Sequence, residues 1–272
     1  MFGRFEVRNG LGVNGEFDVQ ESVLRTSGKE AYLIDVGANI GEWTAHALDR
    51  VLPRHAHIVA CTVLLVEPSP QAAETLRDRF SDAGNCIVLE TAVGASETLL
   101  PLVADGTSPL NRILNSSQEA LTANIESETT SGDQSILVST RPLSDLVEET
   151  LPPSVILDLV KIDAEGMDFA ILEGARKLLA TDRIRVVQFE YNHRWLDWGF
   201  CLADCFKMAN ALGLELMKVT PHGLIHFRSW HVELDRFFDS NFALVNPRIT
   251  KLEHVLSGEF SSRNVLRVRE RT

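Results

Sequence analysis

No apolar run in this 272-residue sequence approaches the roughly 20 residues that a membrane-spanning helix needs. The longest, such as Val59 to Val66, has the length of a buried strand, so no membrane span is expected. Basic charge is also short: 26 Lys and Arg stand against 38 Asp and Glu, for a net charge of −12. A protein that tracks phosphates needs a basic field, so nucleic acid is not an expected partner. Cysteine is sparse, at four. Cys201 and Cys205 fall on one helical face, but no second ligand pair completes a zinc site, and all four read as reduced core thiols. No His/Asp/Cys group has metal-ligand spacing, and no Gly-x-Ser-x-Gly elbow occurs. The opening residues, Met1 to Asn9, carry charges where a secretory leader needs an apolar core, so the expected location is cytoplasmic.

A tripled glycine is missing too, and that absence is informative. Residues 33 to 41 read Leu-Ile-Asp-Val-Gly-Ala-Asn-Ile-Gly: an apolar strand ends at Asp35, passes Gly37, Ala38 and Asn39, and opens into a helix after Gly41. Glycine at such a turn allows close approach of backbone to a ligand. The dinucleotide fingerprint needs Gly-x-Gly-x-x-Gly; here the spacing is Gly-x-Asn-x-Gly, without the tight pyrophosphate turn. The motif suits a nucleoside ligand lacking a pyrophosphate, of which S-adenosyl-L-methionine is the commonest. A nicotinamide-dependent oxidoreductase is correspondingly disfavoured.

Strand and helix signals alternate along most of the chain, which predicts a mostly parallel α/β sheet with helices on both faces. Strands are expected at Tyr32 to Val36, Val59 to Val66, Cys86 to Glu90, Leu99 to Val103, Ile136 to Thr140, Val155 to Ile162 and Ile184 to Phe189. Helices are expected at Glu42 to Val51, ended by Pro53, and at Gln71 to Phe80, Leu143 to Glu149, Met167 to Leu179 and Leu202 to Leu212. Strands at Leu214 to Val219 and Leu224 to Phe227 follow, and Asn241 to Val245 is read as closing the sheet antiparallel. The stretch 104–135, rich in Ser, Thr and Asn, is read as an inserted polar lid that includes Ser108 and Asn111. Residues 247–272, with six Lys or Arg against three Glu, are read as a solvated tail on a single domain whose core spans about 30–245.

Ligands of open α/β sheets sit beyond the carboxyl ends of the strands. Glu67, followed by Pro68 and Ser69, ends the second strand, where a carboxylate can accept hydrogen bonds from both hydroxyls of a ribose. In Asp158-Leu-Val-Lys-Ile-Asp-Ala-Glu-Gly166, Lys161 interrupts a buried strand, and an unpaired buried ammonium is costly. Its partner is expected among Asp163, Glu165 and Glu190. Asp163 and Glu165 can hold a substrate hydroxyl, assist its deprotonation or bind a cofactor amine, and Glu190 or His193 is the candidate proton acceptor. Trp195 and Trp198 are read as a hydrophobic anchor near the site.

Asp35-Val-Gly-Ala-Asn-Ile-Gly41, Glu67-Pro-Ser-Pro70, Thr91-Ala-Val-Gly94, Lys161-Ile-Asp-Ala-Glu-Gly166 and Leu172-Glu-Gly-Ala175, taken in order with Glu190, resemble the FkbM family of S-adenosylmethionine-dependent methyltransferases. The resemblance covers about residues 30 to 245; Asp168 departs from it, since the family often has Glu there. It implies a Rossmann-like class I methyltransferase fold with a seven-stranded sheet whose last strand is antiparallel. It also implies cofactor contacts from Asp35 to Gly41, ribose binding by Glu67, adenine contacts near Thr91 and Ala92, and Asp163 beside the transferred methyl. Similar members are mostly O-methyltransferases of hydroxyls on sugars, glycans or polyketides, so a small-molecule or glycan acceptor is expected. The alternatives are N-methylation of a small molecule and a non-catalytic cofactor-binding module.

Overall fold

The computed structural model describes residues 14–104, 111–115 and 134–271. Most of the expected lid, Ser108 included, lies outside the described residues. The main sheet is built from β1 (Glu30–Val36), β2 (Ala60–Val66), β3 (Cys86–Leu89), β8 (Leu157–Ile162), β9 (Ile184–Tyr191), β10 (Glu215–Thr220), β11 (Gly223–Phe227), β12 (Ser240–Val245), β13 (Val255–Phe260) and β14 (Leu266–Glu270). Its order is β14-β13-β11-β10-β12-β9-β8-β1-β2-β3. A smaller sheet, ordered β4-β7-β5-β6, combines β4 (Ala92–Val93), β5 (Thr98–Ala104), β6 (Arg112–Ile113) and β7 (Gln134–Arg141).

The central strands are apolar on both faces because helices cover both. On one face α1 (Glu16–Leu24), α2 (Glu42–His46) and α3 (Pro70–Arg79) bury Leu33, Val63, Leu65 and Val186 under Val19, Val23, Trp43 and Leu76. On the other, α4 (Leu143–Thr150), α5 (Asp168–Gly174), α6 (Arg176–Ala180) and α7 (Leu202–Leu212) cover Ile34, Leu64, Val160 and Val187. Pro70 opens α3, as a proline can where no backbone donor is needed. The helix expected at Glu42 to Val51 changes to π-helical geometry over Ala47–Val51, and Pro53 sits in the 3-10 turn Leu52–Arg54 that ends it.

Three expectations are corrected. The sheet has ten strands rather than seven. Asn241 to Val245 is antiparallel as expected, but β12 inserts between β9 and β10 instead of closing an edge. Residues 255–270 are no solvated tail: β13 pairs with β11, and β14 pairs with β13. The alternation in these strands explains why, since Leu256, Phe260, Leu266 and Val268 turn to the core while Arg267 and Arg269 stay exposed.

The chain runs outward from β1 to β2 and β3, then returns to β8 on the other side of β1. A switch in direction leaves a crevice at the carboxyl ends of β1 and β8, where ligands of such sheets bind. The smaller sheet stands beside this crevice.

Candidate active site

At the end of β1 the Gly37 and Ala38 amides both donate to the Val66 carbonyl, at 2.9 and 3.2 Å. Gly37 has φ +76°, and a Cβ there would lie 1.9 Å from the Asp163 carbonyl oxygen. Its lack of a side chain joins the ends of β1 and β8 to each other. The room expected there for a ligand is filled by protein backbone. A second glycine works likewise: a Cβ on Gly174 would lie 2.1 Å from the Gly94 carbonyl, so the Leu-Glu-Gly-Ala and Thr-Ala-Val-Gly motifs touch.

Glu67 is 5% exposed and is held by its neighbours. The Asn39 amide donates to Oε2 and the Ser69 amide to Oε1, both at 2.9 Å. Burial raises the carboxyl's pKa, the two amides oppose that rise, and the Asp35 charge adds to it. Asn39 takes a left-handed backbone, φ +46°, to aim its amide, and its own Oδ1 is buried without a hydrogen-bond partner among the described residues. Left-handed conformations of non-glycine residues cost of order 1–3 kcal/mol and gather at functional sites. Glu165, φ +52°, is a second such residue in the same cavity.

Lys161 is buried and flanked by carboxylates. Its Nζ lies 2.8 Å from Glu16 Oε1 and 3.0 Å from Asp163 Oδ2. Burial alone would depress its pKa, but Asp163, Glu16 and Asp35 together hold it well above the usual range. Asp163 was among the expected partners; Glu16, on α1, was not. Asp35, Lys161 and Gln188 are register neighbours across β1, β8 and β9, which makes a polar row on the face that α1 covers. Asp35 accepts from Thr44 Oγ1 at 2.7 Å, and burial raises its pKa to about 6 despite Lys161 and Thr44.

A second polar group is almost all acid. Asp168 at the start of α5 accepts from the Gly166 amide at 3.2 Å, while its Oδ1 is buried and unpartnered among the described residues. Burial, with repulsion from Asp163, raises its pKa to about 8. Glu190 is pushed well above the carboxylate range by burial and by Asp163, Asp168 and Glu165. It accepts from Asn192 Nδ2 at 2.9 Å. Arg194 donates to Glu165, whose pKa burial raises in spite of that contact.

The cavity between these strand ends is lined by Gly37, Asn39, Glu67, Pro68, Thr91, Ala92, Asp163 and Glu165, all expected site residues. It encloses about 800 Å³ including its open mouth, within the ~300–1,000 Å³ of small-molecule sites. Asp35, Ala38, Gly41, Ser69, Glu190 and His193 are not in its lining. Each has a physical reason to be elsewhere. Strand alternation turns Val36 to the cavity and Asp35 to the opposite face. Ala38 is buried, Gly41 is the N-cap residue of α2, and Ser69 acts on Glu67 through its amide. Glu190 lies behind the lining acids, and His193 starts an exposed 3-10 turn. Trp195 is fully buried and donates through Nε1 to the Glu190 carbonyl at 3.0 Å, so the expected anchor braces the end of β9. Arg112 and the apolar residues Val93, Leu102, Met167 and Ile171 also line the cavity and were not anticipated. All four cysteines are free.

Seven strands in the order β3-β2-β1-β8-β9-β12-β10, with β12 reversed and the cavity at the switch point, define a Rossmann-like class I methyltransferase fold. The methyltransferase FkbM domain matches residues 35–220, and the chain belongs to that family. Solved structures similar to it include methyltransferase FkbM from Methylobacillus flagellatus KT, at 16% identity and TM-score 0.48, covering 80% of this chain and 44% of that one. The chain thus spans less than half of that protein's length. Another is precorrin-6y C5,15-methyltransferase from Geobacter metallireducens GS-15, at 13% identity and TM-score 0.42, covering 89% and 94%. A third is the N-terminal domain of human METTL16 in complex with SAH, at 13% identity and TM-score 0.41, covering 83% and 66%. No curated protein matches the chain. No helix among the described residues is long and apolar enough to cross a membrane.

Proposed function

We propose that this cavity binds S-adenosyl-L-methionine and that the protein methylates a hydroxyl of a sugar, glycan or natural product. The observation that carries the reading is Glu67, whose two carboxylate oxygens are each oriented by one backbone amide beside the cavity. Each oxygen keeps acceptor capacity for a ribose hydroxyl. The orphaned Asn39 Oδ1 supplies another polar atom in need of a partner, and the apolar lining of Val93, Leu102 and Ile171 suits a base. When bound, S-adenosylmethionine supplies a sulfonium-activated methyl group. The chain's own work is to align the acceptor oxygen and take its proton. Asp163 and Glu165 face the cavity and are assigned the orienting role. Glu165, its basicity increased by burial, is the favoured proton acceptor. Glu190, its pKa raised by burial and by the neighbouring acids, stands outside the cavity lining and is assigned no contact with the acceptor.

Calorimetry with S-adenosylhomocysteine, followed by a labelled-methyl screen against hydroxylated and amine acceptors, tests the reading. Glu67→Ala is expected to weaken cofactor binding by about 1.5–3 kcal/mol, the scale of a hydrogen bond to a charged group. Unchanged affinity removes Glu67 from the site. Transfer to amines alone, or tight binding with no transfer to any acceptor, overturns the hydroxyl assignment.

A further inference from the structure

The carboxylates that line the cavity all have partners of their own. Glu67 is held by two backbone amides, Asp163 by Lys161 and Glu165 by Arg194. Arg112 is the exception among the charged residues there. It opens β6, is paired through Val103 to β5, and reaches the cavity beside Asn111. It is half-buried, and no ion pair or hydrogen bond ties its side chain to any described residue. Its charge is nonetheless felt within the cavity, since it lowers the pKa of Glu165 from a distance. A guanidinium is never deprotonated and offers a planar fork of donors matched to a carboxylate or phosphate. Among the described residues, Arg112 is the one cation in the cavity's lining.

We infer that Arg112 is the anion anchor of the cavity and seats a carboxylate group of the bound ligand in a forked ion pair. The inference rests on the cofactor reading above and goes past it by assigning a residue of the small sheet to the ligand's charged end. A carboxylate is carried by the amino-acid end of S-adenosylmethionine and also by acidic sugars. In the first case the cavity offers Asp163 for the ammonium and Arg112 for the carboxylate of one zwitterion.

The test compares wild type, Arg112→Gln and Arg112→Lys by calorimetry with S-adenosylmethionine and its decarboxylated analogue, alongside methyl transfer to neutral and uronic acceptors. Because Arg112 has no described partner, the variants should melt with the wild type, which circular dichroism checks. Loss of the cofactor's carboxylate should weaken wild-type binding at least about tenfold, the scale of a charge-assisted hydrogen bond. Arg112→Gln should erase that discrimination, leave the decarboxylated analogue within about twofold of wild type, and fall below Arg112→Lys, which keeps charge but not the fork. Unchanged cofactor binding with a rise of about tenfold or more in KM for uronic acceptors alone also supports the inference, and places the anion on the acceptor. A variant indistinguishable from wild type in every arm overturns it. Wild-type protein that binds neither form of the cofactor refutes the cofactor reading, and this inference with it.

Discussion

Two polar groups at the ends of β8 and β9 meet the cost of burying charge in opposite ways. Around Lys161, one ammonium is surrounded by Glu16, Asp163 and Asp35, and the ions persist because they pair. Around Asp168 and Glu190 carboxyls outnumber cations, and burial with mutual repulsion makes them hold protons instead. The first arrangement fixes geometry for as long as its ions stay paired but leaves exposed to failure every charge whose partner is lost. The second is indifferent to partners and sensitive to pH. A site built over both has a rigid floor under Asp163 and a titratable flank behind Glu165.

The largest effect should come from breaking the paired group. Lys161→Met leaves Glu16 buried without its cation, and removal of one member of a buried ion pair costs about 3–5 kcal/mol. Urea unfolding measures the loss. Adding Glu16→Gln in that background should recover more stability than adding Asp163→Asn, because the Glu16 side chain is 5% exposed and that of Asp163 is 42% exposed. Equal recovery would show that burial does not set the cost, and the contrast between the two groups would lose its basis.

The protonated group should yield a smaller, pH-dependent effect. Asp168 has a folded pKa of about 8 against an ordinary 3.8, so the folded state holds a proton that the unfolded chain has already released. Its contribution to stability is full below pH of about 4 and is lost as pH rises through about 8. Asp168→Asn, which mimics the protonated shape, should flatten the dependence of Tm on pH in that window. At pH 9 it should stabilise the protein by about 1–3 kcal/mol, the cost of an unsatisfied buried polar group. A Tm that rises between pH 5 and 8 in wild type would contradict the sign.

What could be read from the sequence divides along similar lines. Glu67 was legible because two prolines mark the strand end and nothing else competes for that position. Asp163 was legible because a lysine in a buried strand demands an acid nearby; Glu165, expected as another candidate for that role, pairs with Arg194 instead. Glu16 was not: α1 buries Glu16, Val19, Gln20, Val23 and Leu24, and the two polar residues break the apolar period that would have marked the helix. Arg112 sits in a polar stretch with no periodicity, and only the pairing of β6 with β5 brings it to the cavity. The direction of Asp35 was misjudged because it ends the strand beside Val36, and one step along a strand exchanges the two faces. The β13–β14 extension was hidden because charged residues separate its few apolar ones, Leu256, Phe260, Leu266 and Val268.

The smallest effect concerns His193, and it isolates the acids as the source of pH dependence. The position of His193 decides whether it contributes. His193 is exposed at the first residue of its 3-10 turn and is absent from the cavity lining, whereas Glu190, three residues earlier, is half-buried and feels the charges of Asp163, Asp168 and Glu165. His193→Ala should therefore alter stability by less than about 0.5 kcal/mol, as surface substitutions usually do. It should also leave both the Tm-against-pH slope and the pH profile of methyl transfer where wild type has them. A variant that loses the acidic limb of the rate profile while retaining the stability slope would move the proton acceptor from Glu165 to the histidine, and the pH-sensitive flank of the site would then be built on an exposed group and not on a buried one.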